Sequence, residues 1–342
     1  MSLLKDGIKW LYWFPFRRLI QSLSPRLVYR LGRVAGGAMF LVARSRRAAL
    51  MDCARLVLAS AASVPGCDVV AARANLAPEA LAGIAREALV NFCCNELETL
   101  LFPVLSVKVV ADITRAQGLE HLDAALAQGH GAMLLFAHFG ANQMIMPAVG
   151  HRGYAMSQLS APATIWKEKF PGTLSPLAEK VLEQRWRHEL SLPVRHINIF
   201  GSLKEAFRCL KKNEVLGVAC DGGGGAERLG LPFLGQTAYF PKGAMSIALR
   251  TGCAVLPTFM LRDAAGLNTL VVEPALELVQ DEDHERAIAA SLNRFLEVLQ
   301  RYVIRHPSHY AGYLAFRRFM TERGDFPFLG DAAGVAQETV RT

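Results

Sequence analysis

Apolar runs alternate with amphipathic segments along the chain from residue 107 onward. A short continuous apolar run predicts a buried strand, and apolar residues at every third or fourth position predict a helix. We predict strands at residues 107–112, 131–137, 154–160, 195–199, 215–220, 254–260 and 269–272. We predict helices at residues 120–128, 141–149, within 174–190, and at 203–212, 244–250 and 284–305. This alternation indicates an α/β fold in which helices flank a mixed, largely parallel sheet.

The N-terminal region mixes aromatic and basic residues. Residues 8–20 read IKWLYWFPFRRLI, and Trp, Tyr, Lys and Arg side chains all favour the interface of a lipid bilayer. The next apolar run, residues 34–43, is ten residues long, whereas a spanning helix needs about 20. We therefore expect helices that lie on a membrane without crossing it. The alternative is that these aromatic side chains only pack on the domain.

The net charge of +8 is concentrated in the first 55 residues, which hold 11 basic and 2 acidic side chains. The rest of the chain, with 27 basic and 28 acidic side chains, is nearly balanced. This distribution argues against a nucleic-acid partner and favours attachment to an anionic membrane surface. The seven cysteines contain no C-x-x-C pair, which favours reduced thiols in a cytosol-facing protein and no metal site.

A further helix is predicted to begin at Pro78, because proline is favoured in a first helical turn. Its apolar positions recur at helical spacing and are interpreted as core. Glu96 and Glu98, near its end, either face a functional site or face water, as charged helix residues usually do.

The apolar run at residues 131–137 ends abruptly at His138, which is followed by Phe139, Gly140 and, after Ala141 and Asn142, Gln143. Ligands of α/β sheets bind outside the carboxyl ends of the strands, so His138 is a candidate catalytic residue. A single histidine beside an apolar run is more often a satisfied polar group or an edge residue.

Asp221 follows the predicted strand 215–220 in the same way, and a run of glycines from Gly222 to Gly225 comes after it. If the two strands are parallel members of one sheet, His138 and Asp221 can meet at one edge. A carboxylate that contacts an imidazole supports general-base chemistry, and glycine N–H groups can bind a phosphate or an oxyanion. The competing interpretation is that Asp-Gly marks an ordinary turn and the glycines only a mobile loop.

A third stretch comprises residues 231–236, LPFLGQ, and residues 241–257. We interpret it as an apolar loop, a helix of small residues and a strand that together form one wall of a cleft.

In this order and spacing, the three stretches resemble the bacterial lipid A late acyltransferases and their relatives in the lysophospholipid acyltransferase superfamily. The basic aromatic N-terminus, His138, Arg195, Asp221 and the segment Phe233-Leu-Gly235-Gln236 correspond to features of that family in the same order. The resemblance runs from about residue 5 to residue 320. The family signature has an acid five positions after the histidine, and Gln143 stands there in this chain.

The resemblance implies transfer of a fatty acyl group from an acyl thioester, on acyl carrier protein or coenzyme A, to a hydroxyl or amine of a lipid or lipid-like acceptor. Apart from that co-substrate it implies no cofactor. It makes His138 the general base and Asp221 its partner. Backbone N–H groups around Gly140, or from Gly222 and Gly223 to Gly225, are expected to stabilise the oxyanion.

The remaining substrate-binding residues implied by the resemblance are Arg195, Phe233 and Gly235. Arg195 is expected near a phosphate or carboxylate of a substrate.

Three explanations of Gln143 stay open. In the first, Asp221 provides the carboxylate and Gln143 orients His138 or the acceptor. In the second, the acceptor is a nucleophile that needs less activation. In the third, the protein is a weak or inactive relative. We favour the first of these explanations.

The sequence therefore predicts N-terminal membrane-associating helices in residues 1–60, an acyltransferase-like α/β domain in residues 61–320 and an irregular tail in residues 321–342. We expect an acyltransferase bound peripherally or monotopically to the cytoplasmic face of the inner membrane. The alternative function is that of a catalytically weak or inactive relative that binds lipids or acts as a scaffold.

Overall fold

The computed structural model describes residues 3–165, 167, 174–222 and 227–330, with side chains from residue 6 onward. The main sheet contains β1 (Thr114–Gln117), β2 (Ala132–Phe136), β3 (Met156–Ser160), β4 (Arg195–Asn198), β5 (Val215–Ala219), β8 (Ala254–Arg262) and β9 (Asn268–Val272). A smaller antiparallel sheet contains β6 (Arg228–Phe233), β7 (Gln236–Pro241) and β10 (Leu329–Gly330).

The strands of the main sheet are ordered β1-β9-β8-β2-β5-β3-β4. β8 and β9 pair antiparallel, and the other neighbouring strands pair in parallel. The prediction of a mixed, largely parallel sheet is confirmed. The two strands that carry the candidate residues, β2 and β5, are neighbours at its centre.

Helices flank this sheet. Those described are α1 (Leu3–Leu11), α2 (Arg17–Ser22), α3 (Pro25–Val42), α4 (Arg44–Ala59), α5 (Val69–Ala74), α6 (Pro78–Leu101), α7 (Val107–Ile113), α8 (Leu119–Ala127), α9 (Ile145–Gly150), α10 (Pro176–Glu189), α11 (Lys204–Lys211), α12 (Gly243–Thr251), α13 (His284–Arg305) and α14 (Ala311–Thr321). A π-helical turn lies at Tyr12–Phe16, and 3-10 turns lie at Ser60–Ser63, Phe102–Val104, Asn142–Met144 and Pro307–His309.

Successive side chains of β2 enter two different hydrophobic cores, because side chains alternate between the faces of a strand. Met133 and Leu135 point into the core beneath α4, α12 and α13. Leu134 and Phe136 point into the core that contains residues of α7, α8 and α9. All four side chains are almost completely buried. This explains the uninterrupted apolar run that predicted a strand covered on both faces.

The prediction of a strand at residues 107–112 is wrong, because these residues form α7. The Ser106 hydroxyl accepts a hydrogen bond from Val109 N–H and caps the helix. Val110 and Ile113, three positions apart, turn into the core. The strand begins only at Thr114. The β-branched run Val107–Val110 favoured a strand locally, and packing on one face overrode that preference.

The third stretch and the C-terminal segment also differ from expectation. Residues 231–236, predicted as a loop, belong to the hairpin of β6 and β7. The tail predicted from residue 321 is in part structured, since Phe328 is buried and Leu329 pairs with Ala238 of β7. Residues 331–342 lie outside the described residues.

The N-terminal helices pack on the rest of the chain along α6. A Cβ at Gly36 in α3 would lie 2.5 Å from Val90 Cα, so only glycine permits this close approach. Trp13 is buried and packs edge-on against His188. This contact agrees with the alternative interpretation, in which the aromatic side chains pack on the domain. Trp10 and Leu19 are exposed, at 41% and 56%. None of the helices in the described part of the chain is long and apolar enough to cross a bilayer.

A buried ion pair joins α6 to β8. Arg262 Nη2 lies 2.7 Å from Glu98 Oε2, and both side chains are 1% exposed. Arg262 also donates to Asn95 and Asn268, and Glu98 Oε1 accepts from Tyr29. The interpretation that Glu98 faces water is therefore wrong, because α6 is surrounded by protein at this turn.

Glu98→Ala is expected to lower the free energy of unfolding by about 3–5 kcal/mol, because it leaves the Arg262 guanidinium buried without a counter-charge. Urea denaturation measures this difference. Glu205→Ala removes one partner of the exposed pair with Arg208 and serves as the control, with little expected change. Equal losses of stability in the two variants would contradict the assignment.

Candidate active site

His138 and Asp221 are brought together by the register of β2 and β5. Phe136 lies opposite Ala219 in the parallel pair, and Cys220 N–H donates to the Phe136 carbonyl at 2.8 Å. Two residues beyond the paired positions, His138 Nδ1 lies 2.7 Å from Asp221 Oδ1. The prediction that the two residues meet at the carboxyl edge of the sheet is confirmed.

The Asp221 carboxylate is completely buried and fixed by several donors. Oδ2 accepts from His138 N–H at 2.9 Å and from the Tyr310 hydroxyl at 3.0 Å. The Tyr313 hydroxyl donates to the Asp221 main-chain carbonyl. A buried carboxylate with this many donors is held in one orientation, which in turn orients the imidazole.

The His138 ring is 41% exposed and stacks on Tyr313, with centroids 4.7 Å apart and planes 3° from parallel. A carboxylate only accepts hydrogen bonds, so Nδ1 carries the proton toward Asp221 and Nε2 is left as the basic nitrogen. Desolvation lowers the pKa of His138, but the charge and hydrogen bond of Asp221 together outweigh it and raise the pKa above its ordinary value. The pair has the arrangement of a general base and its supporting carboxylate.

Tyr310 and Tyr313 are site residues that sequence reasoning did not single out as such. Nothing in the spacing of their segment points to a partner more than 80 positions away. Burial, followed by the charge of Asp221, raises the pKa of both phenols well above the ordinary value. Both therefore remain protonated donors over the physiological range of pH.

The N–H of Gly140 itself donates to the His309 carbonyl at 2.9 Å, and a role of backbone N–H groups around Gly140 in stabilising an oxyanion stays a prediction. The Gly140 carbonyl accepts from Asn95 Nδ2 at 2.9 Å. At φ +60°, a Cβ would lie 2.1 Å from the Met260 carbonyl oxygen. Gly140 thus lets the chain turn sharply against β8 and fixes the loop that follows His138.

Gly222 does lie beside the catalytic ring. A Cβ built on Gly222 would be 4.0 Å from His138 Cε1, so its backbone borders the space next to the imidazole. Gly223 lies outside the described residues. The role of these two glycines in binding an oxyanion stays a prediction.

Gln143 lies in the 3-10 turn Asn142–Met144 and is half-buried. In the described part of the chain its amide makes no hydrogen bond, to His138 or to any other group. The structure therefore gives the carboxylate position to Asp221. Whether Gln143 contacts a substrate stays a prediction.

The structure does not bring Arg195 to His138. Arg195 begins β4 and pairs with Glu214, which immediately precedes β5. Both residues lie at the amino ends of their strands, whereas His138 lies at the carboxyl edge. The predicted strand at residues 195–199 already began at this arginine, and the amino end of a parallel strand lies at the edge of the sheet opposite His138.

Phe233 packs behind Tyr310, and Gly235 lies in the nearby hairpin turn. Phe233 is completely buried, and its ring centroid lies 6.0 Å from that of Tyr310. Gly235 adopts φ +72° in the turn between β6 and β7. The structure thus gives both residues structural roles, and contact with substrate stays a prediction for each.

Neither of two well-formed cavities in the described part of the chain is lined by His138. One, of about 360 Å³, lies between Pro257, Glu273 and Tyr302. The other, of about 190 Å³, lies between α4, the β6–β7 hairpin and α14. No cluster of three or more His, Cys, Asp or Glu side chains suited to a metal ion occurs among the described residues.

Comparison with known proteins agrees with this geometry. Residues 77–319 match the family model described as bacterial lipid A biosynthesis acyltransferase. The chain is also 26% identical over 200 residues to the phosphatidylinositol mannoside acyltransferases of two Mycobacterium tuberculosis strains, CDC 1551 / Oshkosh and ATCC 25618 / H37Rv. The match covers 56% of this chain and 56% of each relative, so it spans about half of their length.

The region matched by the family model includes His138, Asp221 and both tyrosines of the site, and it covers well over half of the chain. The chain belongs to the bacterial lipid A biosynthesis acyltransferase family.

Proposed function

We propose that this protein is an acyltransferase that moves a fatty acyl group from an acyl thioester to a hydroxyl or amine of a lipid or lipid-like acceptor, with His138 as the general base. The observation that carries the proposal is the contact of 2.7 Å between His138 Nδ1 and the buried Asp221 carboxylate. Because Asp221 binds Nδ1, Nε2 of His138 stays free on a ring that is 41% exposed, and an acceptor can reach this nitrogen.

In the proposed reaction, Nε2 of His138 takes the proton of the acceptor as its oxygen or nitrogen attacks the thioester carbonyl. The imidazolium that forms is stabilised by Asp221. The carbon–sulfur bond then breaks, and the imidazolium returns the proton to the leaving thiolate. The products are the acylated acceptor and a free thiol, and no covalent intermediate with the enzyme is required.

The donor is proposed to be acyl carrier protein or coenzyme A carrying the acyl chain. A lipid-like acceptor is supported by the name of the mycobacterial relatives, phosphatidylinositol mannoside acyltransferase. Gln143 at the motif position favours the second candidate, a weak or inactive relative that binds lipid. The complete His138–Asp221 pair favours catalysis.

We further propose peripheral attachment to the cytoplasmic face of the inner membrane through the N-terminal helices. Ile8, Leu11 and Leu19 are 60%, 57% and 56% exposed, and Lys9 and Arg18 are exposed among them. Exposed apolar side chains next to cations suit an anionic lipid surface.

His138→Ala and Asp221→Asn are each expected to lower kcat about 10²- to 10⁴-fold. The first substitution removes the base, and the second removes the carboxylate that fixes the tautomer of His138. The assay is release of free thiol from acyl thioesters in the presence of lipid and amine acceptors. His130→Ala, an exposed histidine at the other end of β2, is the matched control and should retain activity.

Gln143→Ala belongs to the same series and should lose far less activity than Asp221→Asn, since the amide does not contact His138. If wild type and all the variants release thiol at the same rate, the lipid-binding candidate replaces the catalytic one.

Tyr310→Phe is expected to move the acidic limb of the pH–rate profile to higher pH, by up to about one unit. His138 must be neutral to act as a base, so activity appears as the pH rises through its raised pKa. Loss of the Tyr310 hydroxyl leaves more negative charge on Asp221 for the imidazolium, which raises that pKa further. A shift to lower pH, or no shift, would contradict this role.

Replacement of Ile8 and Leu11 by Ser is expected to weaken binding to anionic phospholipid vesicles, measured by sedimentation. Added salt should weaken the wild-type protein's binding as well, because the cations contribute through screened charge. Val70→Ser, also at an exposed apolar side chain, is the control. Equal binding by all three proteins would show that the N-terminal helices do not contact the membrane.

A further inference from the structure

The larger of the two cavities, of about 360 Å³, lies between the second half of α13, β8 and the segment that follows β9. Glu273 N–H donates to the Pro257 carbonyl at 2.9 Å, so this segment runs beside β8. The volume lies within the range of small-molecule sites, about 300–1,000 Å³. His138 does not line the cavity, which makes it distinct from the candidate active site.

One face of α13 forms a wall of the cavity. Four lining residues recur at helical spacing and share that face, namely Val298, Arg301, Tyr302 and Arg305. A helix face turned toward a sheet is normally apolar, whereas this face carries two arginines. Both arginines are exposed, so their guanidinium groups lie where the cavity opens to solvent.

Positive charge exceeds negative charge in this cavity. Arg301 and Arg305 make no hydrogen bond or ion pair with another residue in the described part of the chain. Glu273 also lines the cavity, and its carboxylate accepts a hydrogen bond from the Tyr302 hydroxyl. Burial and that hydrogen bond raise the pKa of Tyr302, and the charges of Arg305 and Arg301 oppose the rise. Both guanidinium groups therefore act on the space beside the Tyr302 hydroxyl, where an anion can compensate them.

Apolar surface lies next to these charges. Pro257 on β8 is buried, and Leu276 and Val298 are half-buried. The Tyr302 ring stacks on Phe259, at 3.7 Å between centroids, and adds a rigid aromatic surface to the lining. Apolar surface that remains in contact with water favours an apolar ligand that covers it.

We propose that this cavity binds a single-chain amphiphile with an anionic head group, either a carboxylate or a phosphate. The alkyl chain lies against Pro257, Leu276 and Val298, and the head group pairs with Arg301 and Arg305. Arginine suits both head groups, because its paired N–H donors match two oxygens of one anion. A neutral lipid would leave the arginines without a partner, and a small inorganic anion would leave the apolar lining uncovered.

Isothermal titration calorimetry of the full chain tests the site with three probes that share one alkyl chain. The probes are sodium octanoate, octyl phosphate and octanol, each used below the concentration at which it forms micelles. At least one of the two anions is expected to bind with saturation, and octanol is expected to bind roughly tenfold more weakly or not at all. The anion with the lower Kd identifies the head group as carboxylate or phosphate.

Variants of the lining locate the binding. The double variant Arg301→Gln/Arg305→Gln is expected to raise the Kd of the anion roughly tenfold or more, because it removes both cations. Leu276→Ser is expected to raise it roughly threefold, because it removes apolar contact with the chain. Arg286→Gln, an exposed arginine on the same helix that pairs with Asp281 outside the cavity, is the matched control and should bind as wild type does.

His138→Ala separates this cavity from the candidate active site, and it should bind the anion as tightly as wild type. A large loss of affinity in His138→Ala would place the anion at the active site and overturn the proposal. Absence of binding by both anions, an unchanged Kd in the double variant, or equally tight binding of octanol would overturn it as well. Acyl transfer is measured separately as thiol release, so failure of either proposal leaves the other standing.

Discussion

The parallel pairing of β2 with β5 is the constraint on which the active site depends. The register that places Phe136 opposite Ala219 carries His138 to Asp221 two residues later. Both strands are buried on their two faces, so a slip by one residue would move every side chain of a strand into the opposite core. The hydrophobic cores therefore determine the geometry of the His138–Asp221 pair, although neither residue is apolar.

Other elements hold the pair in place after the strands end. Asn95 from α6 and the His309 carbonyl fix the two polar groups of Gly140, so the chain leaves His138 in one direction. Tyr310 and Tyr313 attach Asp221 to the start of α14. The histidine keeps an exposed ring while its partner carboxylate is completely enclosed. This asymmetry suits a base that must meet a substrate yet keep one tautomer.

Much of this arrangement follows from local sequence. Apolar runs predicted β2 to β5, β8 and β9 within a few residues, and the ionisable residue at the end of each central strand predicted the meeting of His138 with Asp221. Long-range partners could not be predicted in this way, since Tyr310 reaches Asp221 only through the packing of α14. Arg195 shows a related difficulty, because the role implied by its residue type disagreed with its place at the start of the predicted strand 195–199, at the edge of the sheet opposite His138. At residues 107–112, the valine-rich sequence favoured a strand, and the helix capped by Ser106 was not predicted.

The account rests on His138 being the base that acyl transfer requires, with Asp221 raising its pKa. NMR titration of the His138 ring in wild type and in Asp221→Asn, compared with the pH dependence of acyl transfer, tests this most directly. The wild-type ring should titrate above pH 6.5, the ordinary value for histidine, and activity should appear at the same pH. In Asp221→Asn the ring should titrate lower. A wild-type ring that titrates below its ordinary pKa, or activity that is independent of its titration, would contradict the account.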